Sequence, residues 1–317
     1  PSIDRTVTLP AQLTRGAVHR VTSVTSQAGG KGVNVARALT LAGLDTVAVL
    51  PAAANDPLIT ALQAITVPFR VVSTMEPART NLTITEPDGT TTKINEPGAT
   101  LDAATVAALT DAVLAAAEGA DWVVMSGSLP PGMPASWYGD VIAALADHPC
   151  RIAVDTSDAP LAALVDGLDR GAPDLIKPNG EELAGVLGLP AASLEDAVNQ
   201  GDPEPVVAAA RQLIDRGIGA VLATLGAAGA VLVDRNGAWL ATPPPITPRS
   251  TVGAGDSSLA GYVRAEVGGA VPPQRLQMAV AYGSAAAALP GTTLPTPAQV
   301  DLNAVQVAPI SPIPATR

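Results

Sequence analysis

Ser250-Thr251-Val252-Gly253-Ala254-Gly255-Asp256, running on into Ser257-Ser258-Leu259-Ala260-Gly261-Tyr262, is a loop of small residues that opens directly into a helical pattern. A helix start leaves several backbone N–H groups without intrahelical partners, and the helix dipole adds positive potential at the same spot. The segment therefore reads as an anion site. Gly253 and Gly255 permit close backbone approach. Asp256 sets a carboxylate beside that anion, which suits a base that deprotonates an attacking hydroxyl better than it suits mere binding. A favourable charge in a first helical turn is the plainer explanation of the same aspartate. No Gly-Lys-[Ser/Thr] follows, so this is not a Walker loop.

Three further segments have the same loop-to-helix or strand-to-turn character. Gly29-Gly30-Lys31-Gly32-Val33-Asn34 opens a helix that runs to Leu41 and stops at Gly43. Its lysine and amide suit the phosphate and hydroxyls of a sugar phosphate, although a glycine-rich helix start with a solvated lysine is the plainer explanation of the segment taken alone. Lys177-Pro178-Asn179-Gly180-Glu181-Glu182-Leu183 follows a strand. Asn179 and Glu182 stand one helical turn apart, a spacing that serves a hydrated Mg²⁺ or a capping box, or both at once. Ser126-Gly127-Ser128-Leu129-Pro130-Pro131-Gly132 is a tight turn that either presents Ser128 to a ligand or simply reverses the chain.

Composition narrows the classes of function. The 317 residues carry 18 Lys and Arg against 29 Asp and Glu, a net charge of −11. Such a chain lacks the basic footprint of a nucleic-acid or anionic-membrane binder. Three Trp, three Tyr and one Phe are too few for base-stacking platforms. One cysteine, Cys150, excludes an intrachain disulfide framework, and two histidines, His19 and His148, leave little for a His-based metal site. No apolar run approaches the roughly 20 residues that span a bilayer, and no signal peptide is visible. The expectation is a soluble cytoplasmic protein with no nucleic-acid or membrane partner.

The first third reads as β-rich, with strands at 21–26, 47–50, 69–72, 81–86 and 91–94; the last two flank the turn Pro87-Asp88-Gly89-Thr90. From about residue 100, helices at 102–117, 136–146, 180–187, 204–216, 254–267 and 273–289 alternate with short aliphatic strands at 122–125, 151–155, 175–177 and 220–225. A pair near 230–234 and 238–240 follows. Buried strands separated by helices predict an α/β fold whose parallel sheet is covered on both faces, with ligands at the strands' carboxyl ends. The Pro-rich tail after Pro295 is expected to drape over the surface.

Taken in order, these segments resemble the ribokinase-like (PfkB) carbohydrate kinases, in the sugar-phosphate branch. The likeness runs from Pro-Ser-Ile-Asp at the start to about Thr293, through Ala78-Arg79-Thr80-Asn81-Leu82 and Ile94-Asn95-Glu96-Pro97-Gly98. It implies a single kinase unit over 1–317: a three-layer sandwich around a mostly parallel sheet of about nine strands, with a small β-sheet lid from about 5–27 and 68–98. It implies ATP and Mg²⁺ as co-reactants. The exposed edges and one apolar face of a small sheet carrying strands 81–86 and 91–94 predict, separately, a homodimer joined through the lids. Residue by residue, Asp4, Gly29, Gly30, Lys31, Asn34, Arg79 and Ser128 match sugar-phosphate contacts. Lys177, Asn179, Glu182, Thr224 and Gly226 match the nucleotide and metal side, with Glu182 and, through water, Asn179 nearest the metal. Gly253, Ala254 and Gly255 match an anion hole that also touches nucleotide, and Asp256 matches the catalytic base and a substrate contact. Pro51-Ala-Ala-Ala-Asn-Asp-Pro replaces a glycine-rich turn of the family, and Ser250 stands where ribokinase proper has aspartate.

The implied reaction is transfer of the ATP γ-phosphate to the 6-hydroxyl of fructose 1-phosphate. Lys31 in the first loop, together with Ala17 where the 6-phosphofructokinases of this branch tend to have lysine, favours that acceptor. Tagatose 6-phosphate and fructose 6-phosphate are the alternatives within the family. The alternative of another class is a non-catalytic sugar-phosphate-binding regulator, against which the intact Gly-Ala-Gly before Asp256 argues.

Overall fold

The computed structural model describes residues 1–310. The chain runs through β1 (Ser2–Thr8), β2 (Ser23–Gly29), α1 (Lys31–Leu41), β3 (Ala48–Ala53), α2 (Pro57–Ala64), β4 (Phe69–Thr74), β5 (Arg79–Thr85) and β6 (Thr91–Asn95). It continues with α3 (Ala103–Ala117), β7 (Trp122–Ser126), α4 (Trp137–Ala144), β8 (Arg151–Asp155), α5 (Asp158–Asp166), β9 (Leu175–Ile176), α6 (Gly180–Val186), α7 (Ser193–Asn199) and α8 (Glu204–Ile214). The last third holds β10 (Ala220–Thr224), β11 (Ala230–Asp234), β12 (Gly237–Thr242), α9 (Ala254–Val267), α10 (Pro272–Ala287) and β13 (Gln306–Pro309).

Strands β7 to β13 form one seven-stranded sheet in sequential order. Pairing is parallel from β7 to β10 and antiparallel from β10 to β13. Period-two alternation divides the aliphatic side chains between two cores. Ile152, Val154, Ile176, Val221, Ala223, Val231 and Val233 join a core with α3–α8. Ala153, Leu175, Ala220, Leu222, Ala230 and Leu232 face α1, α9 and α10. Each buried Leu or Val contributes about 1.5–3 kcal/mol, and the alanines on the second face let α9 and α10 approach closely.

A separate four-stranded sheet has the order β2-β1-β5-β6. Its alternation is amphipathic. Asp4, Arg79 and Asn81 occupy one face, whereas Val7, Val24, Leu82 and Ile94 lie on the other, which is a shallow trough with Val24 and Ile94 exposed.

Three expectations need correction. Strand β4, assigned to the small sheet, pairs in parallel with β3 instead. The reason is α2: a helix between two strands makes a crossover unit, which yields parallel neighbours. The nine strands are consequently a ladder of seven and a pair of two. The tail after Pro295 does more than cover the surface, since β13 adds the edge of the main sheet, where Pro309 is tolerated because an edge strand need not donate on its outer side.

Candidate active site

The parallel half of the main sheet brings the carboxyl ends of four strands together. Ser126 is in register with Asp155, the Lys177 N–H donates to the Val154 carbonyl at 3.0 Å, and Asn179 bridges to Thr224. The loops that leave these ends therefore fall side by side, as expected of an open α/β sheet.

Two helix N-termini meet over this edge. Asn34, in the first turn of α1, donates through Nδ2 to Asp256 Oδ2 at 2.8 Å, in the first turn of α9. Gly253 caps α9 in the left-handed region at φ 78°, a conformation that glycine adopts without strain. Among the described residues, no loop carbonyl takes the Gly255 and Asp256 N–H groups, so both remain free to bind an anion.

Below them lies a buried cluster of charge. Asp155 Oδ1 is 3.1 Å from Lys31 Nζ, and its Oδ2 is 3.3 Å from Lys177 Nζ. Asp155 and Lys177 are almost wholly buried, while Lys31 is half-exposed. Lys177 lies against Gly255, where a Cβ would come within 3.2 Å of Nζ, so the glycine makes room for the ammonium. Burial alone would pull the Lys31 pKa down; the Asp155 carboxylate, aided by Glu182 and Asp256, outweighs it and holds the ammonium above its ordinary value.

Asp256 has the opposite balance. Desolvation pushes its pKa up to about 6, against the Asn34 hydrogen bond and the two lysines, with Asp155 adding to the rise. A carboxylate poised near neutrality, at the joined positive ends of two helices, has the properties of a general base.

The remaining residues fall into smaller groups. Gly29 abuts the Asp4 carboxylate so closely that any Cβ would overlap it, and Asp4 also accepts from Ser2 Oγ at 2.8 Å and Asn81 Nδ2 at 3.0 Å. Gly30, at φ 107°, caps α1 without a side-chain bond. Arg79 and Ser128 share a narrow cavity with Glu76, Pro97 and Gly98, and the buried Arg79 Nε has no partner among the described residues. Asn179 and Glu182 form the reciprocal capping box of α6, each bond 2.8 Å. Thr224 ends β10, and Gly226, two residues later, opens a short 3₁₀ turn at φ 54°, where a Cβ would come within 3.0 Å of Glu195 Oε1 in α7. Ala254 begins α9 between the two glycines.

Sequence reasoning missed Asp155, which closes a strand whose pattern reads as core, and Asp56. Asp56 caps α2 through Leu58 N–H at 2.9 Å and accepts from the Ala78 N–H at 2.6 Å, fixing the entry to Arg79. The signal for Asp56 was present in Asp-Pro at a helix start.

A sheet-edge site with two glycine-capped helix starts and a buried carboxylate belongs with the carbohydrate kinases. The chain is a member of the pfkB family of carbohydrate kinases, whose pattern matches residues 1–299, and its fold is ribokinase-like. It is 38% identical over 305 residues to a 1-phosphofructokinase of Rhodobacter capsulatus, covering 93% of this chain and 90% of that one. It is 32% identical over 298 residues to the ATP-dependent 6-phosphofructokinase isozyme 2 of Escherichia coli, covering 93% and 92%. The crystal structure of phosphofructokinase-2 from Escherichia coli in complex with potassium superposes with a TM-score of 0.85 at 31% identity, over 94% of this chain and 93% of that one.

Proposed function

We propose that this protein is an ATP-dependent kinase that phosphorylates the 6-hydroxyl of fructose 1-phosphate, giving fructose 1,6-bisphosphate and ADP. The observation that carries the reading is Asp256: a desolvated carboxylate held by Asn34 beside free N–H groups at the start of α9. The likeness to a 1-phosphofructokinase over nearly the whole chain supports the choice of acceptor.

Asp256 takes the proton of the 6-hydroxyl as that oxygen bonds to the γ-phosphorus. The bond from the γ-phosphorus to the bridging oxygen breaks, and its electron pair leaves on ADP. The Gly255 and Asp256 N–H groups, with Lys177, receive the charge on the transferring group. Asp4 and Asn81 orient the sugar hydroxyls, and Arg79 neutralises the phosphate already present.

The donors present fit Mg²⁺ that arrives with ATP. Among the described residues, no three His, Cys, Asp or Glu side chains gather into a cage, and Mg²⁺ ordinarily keeps waters and substrate phosphates as ligands. Glu182, whose Oε2 serves the capping box, retains Oε1 as an acceptor for such a water. When bound, the ion would neutralise negative charge on the ATP phosphates.

The four-stranded sheet acts as a lid, its polar face with Asp4, Arg79 and Asn81 turned to the sugar. Its apolar face, with Val7, Val24, Leu82 and Ile94, is covered by the lid of a second copy, giving a homodimer. Among the described residues no helix is long and apolar enough to cross a membrane, and we place the protein in the cytoplasm. The test is ADP release from MgATP by the purified protein. Release that depends on added fructose 1-phosphate supports a kinase, whereas binding of the sugar phosphate without turnover makes the protein a regulator.

A further inference from the structure

The two lysines of the site share one buried carboxylate. Asp155, 1% exposed, accepts a hydrogen bond from Lys31 through Oδ1 at 3.1 Å, while its Oδ2, which accepts no hydrogen bond among the described residues, lies 3.3 Å from the Lys177 ammonium as an ion pair. Lys177, 5% exposed, has its ammonium beside Gly255. A Cβ at Gly127, the residue after β7, would only just reach the Lys31 Cβ, at 3.8 Å, and the Lys31 ammonium turns to Asp155. Moving that ammonium out to an anchored sugar phosphate would leave a buried carboxylate half-paired, a costly state. Arg79 has no such tie: its Nε is buried and unpartnered in the cavity that it shares with Ser128.

We infer that Asp155 is a positioning residue that holds Lys31 and Lys177 as one unit beside the path of the transferring phosphoryl group. Lys31 then serves transfer, and Arg79 anchors the phosphate that the sugar already carries. Two ammoniums this close would repel each other without the carboxylate between them. With it, the trio presents one net positive charge next to the N–H groups of α9, where charge on the transferring group needs a counterpart. Buried ion pairs add little net stability, so positioning accounts better for keeping this one.

The inference deepens the kinase reading and rests on it. The experiment compares wild type, Lys31→Met, Asp155→Asn and the double variant. It measures kcat with saturating MgATP and fructose 1-phosphate, and sugar-phosphate Kd by calorimetry on nucleotide-free protein. The expected result is a tenfold or greater loss of kcat in each single variant, a sugar-phosphate Kd within threefold of wild type, and a double variant no worse than the weaker single. Asp155→Glu is expected to recover part of the Asp155→Asn loss. Lys31→Met that weakens sugar-phosphate binding tenfold at unchanged kcat overturns the inference, as do losses that multiply in the double variant. Should Asp155→Asn not fold, Lys31→Met decides by the same split, because its half-exposed side chain can be replaced without opening the core. A wild type without turnover on any sugar phosphate removes the kinase reading together with this one; an active wild type with unaffected variants removes only this one.

Discussion

The main sheet and the four-stranded sheet solve opposite problems. In the main sheet, Leu222, Val221 and Leu232 are fully buried, and helices cover both faces. That packing holds the ion pair of Asp155 with Lys177 and the hydrogen bond of Asn34 to Asp256. In the small sheet, Val24 is 45% and Ile94 55% exposed, and little of β6 is covered. Dense packing supplies the rigidity that proton transfer and charge stabilisation require. A thin sheet with one bare face can move over a ligand and can pair with a copy of itself. The contrast shows where this chain invests stability and where it keeps freedom.

Substitutions can break or sharpen that contrast. The largest effect is expected from Asp256→Asn, which preserves shape and removes the base. It should lower kcat by about two to four orders of magnitude while calorimetric binding of sugar phosphate and nucleotide changes little; a tenth of wild-type kcat would remove Asp256 from that role. Leu222→Ala in the main sheet should cost about 2 to 5 kcal/mol in denaturant unfolding, whereas Val24→Ala in the small sheet should cost under about 1. Equal costs would erase the distinction between the two sheets. Ile94→Asp places a charge on the bare apolar face and should shift the protein toward monomer at micromolar concentration by light scattering, with association weakened about tenfold or more. An unchanged dimer, or a tetramer, would place the interface elsewhere.

The smallest expected effect concerns pH. Asp256 acts only when ionised, so kcat/KM should fall as pH drops through about 6. The Asn34 hydrogen bond favours the ionised form. Asn34→Leu should therefore raise the pKa and move the acid limb upward by roughly half to one pH unit. The ionisation of the sugar's own phosphate lies in the same range but is blind to this substitution, so a limb that stays put would assign it to the substrate.

The two sheets also differ in how much of each was legible in the sequence. Main-sheet strands such as Arg151–Asp155 and Ala220–Thr224 are compact aliphatic runs between helices, and they lie within a residue or so of their expected bounds. Asp256, Lys31 and Asn34 were readable because glycines mark both helix starts. The small sheet was harder. Strand β1 sets Ile3, Arg5 and Val7 on one face and Asp4 and Thr6 on the other, but its partners β2 and β5 are distant in sequence, and no local turn announces either pairing. Strand β4 was misassigned because α2, only eight residues long, was overlooked. Helices α5 and α7 were missed too, and Asp155 was missed because nothing local separates a strand-end carboxylate from its neighbours.

The central claim is tested most directly by kcat/KM with MgATP for fructose 1-phosphate, fructose 6-phosphate and tagatose 6-phosphate. The account predicts that fructose 1-phosphate is preferred by about tenfold or more, which is about 1.4 kcal/mol of transition-state binding. Preference for either 6-phosphate by the same factor would contradict it.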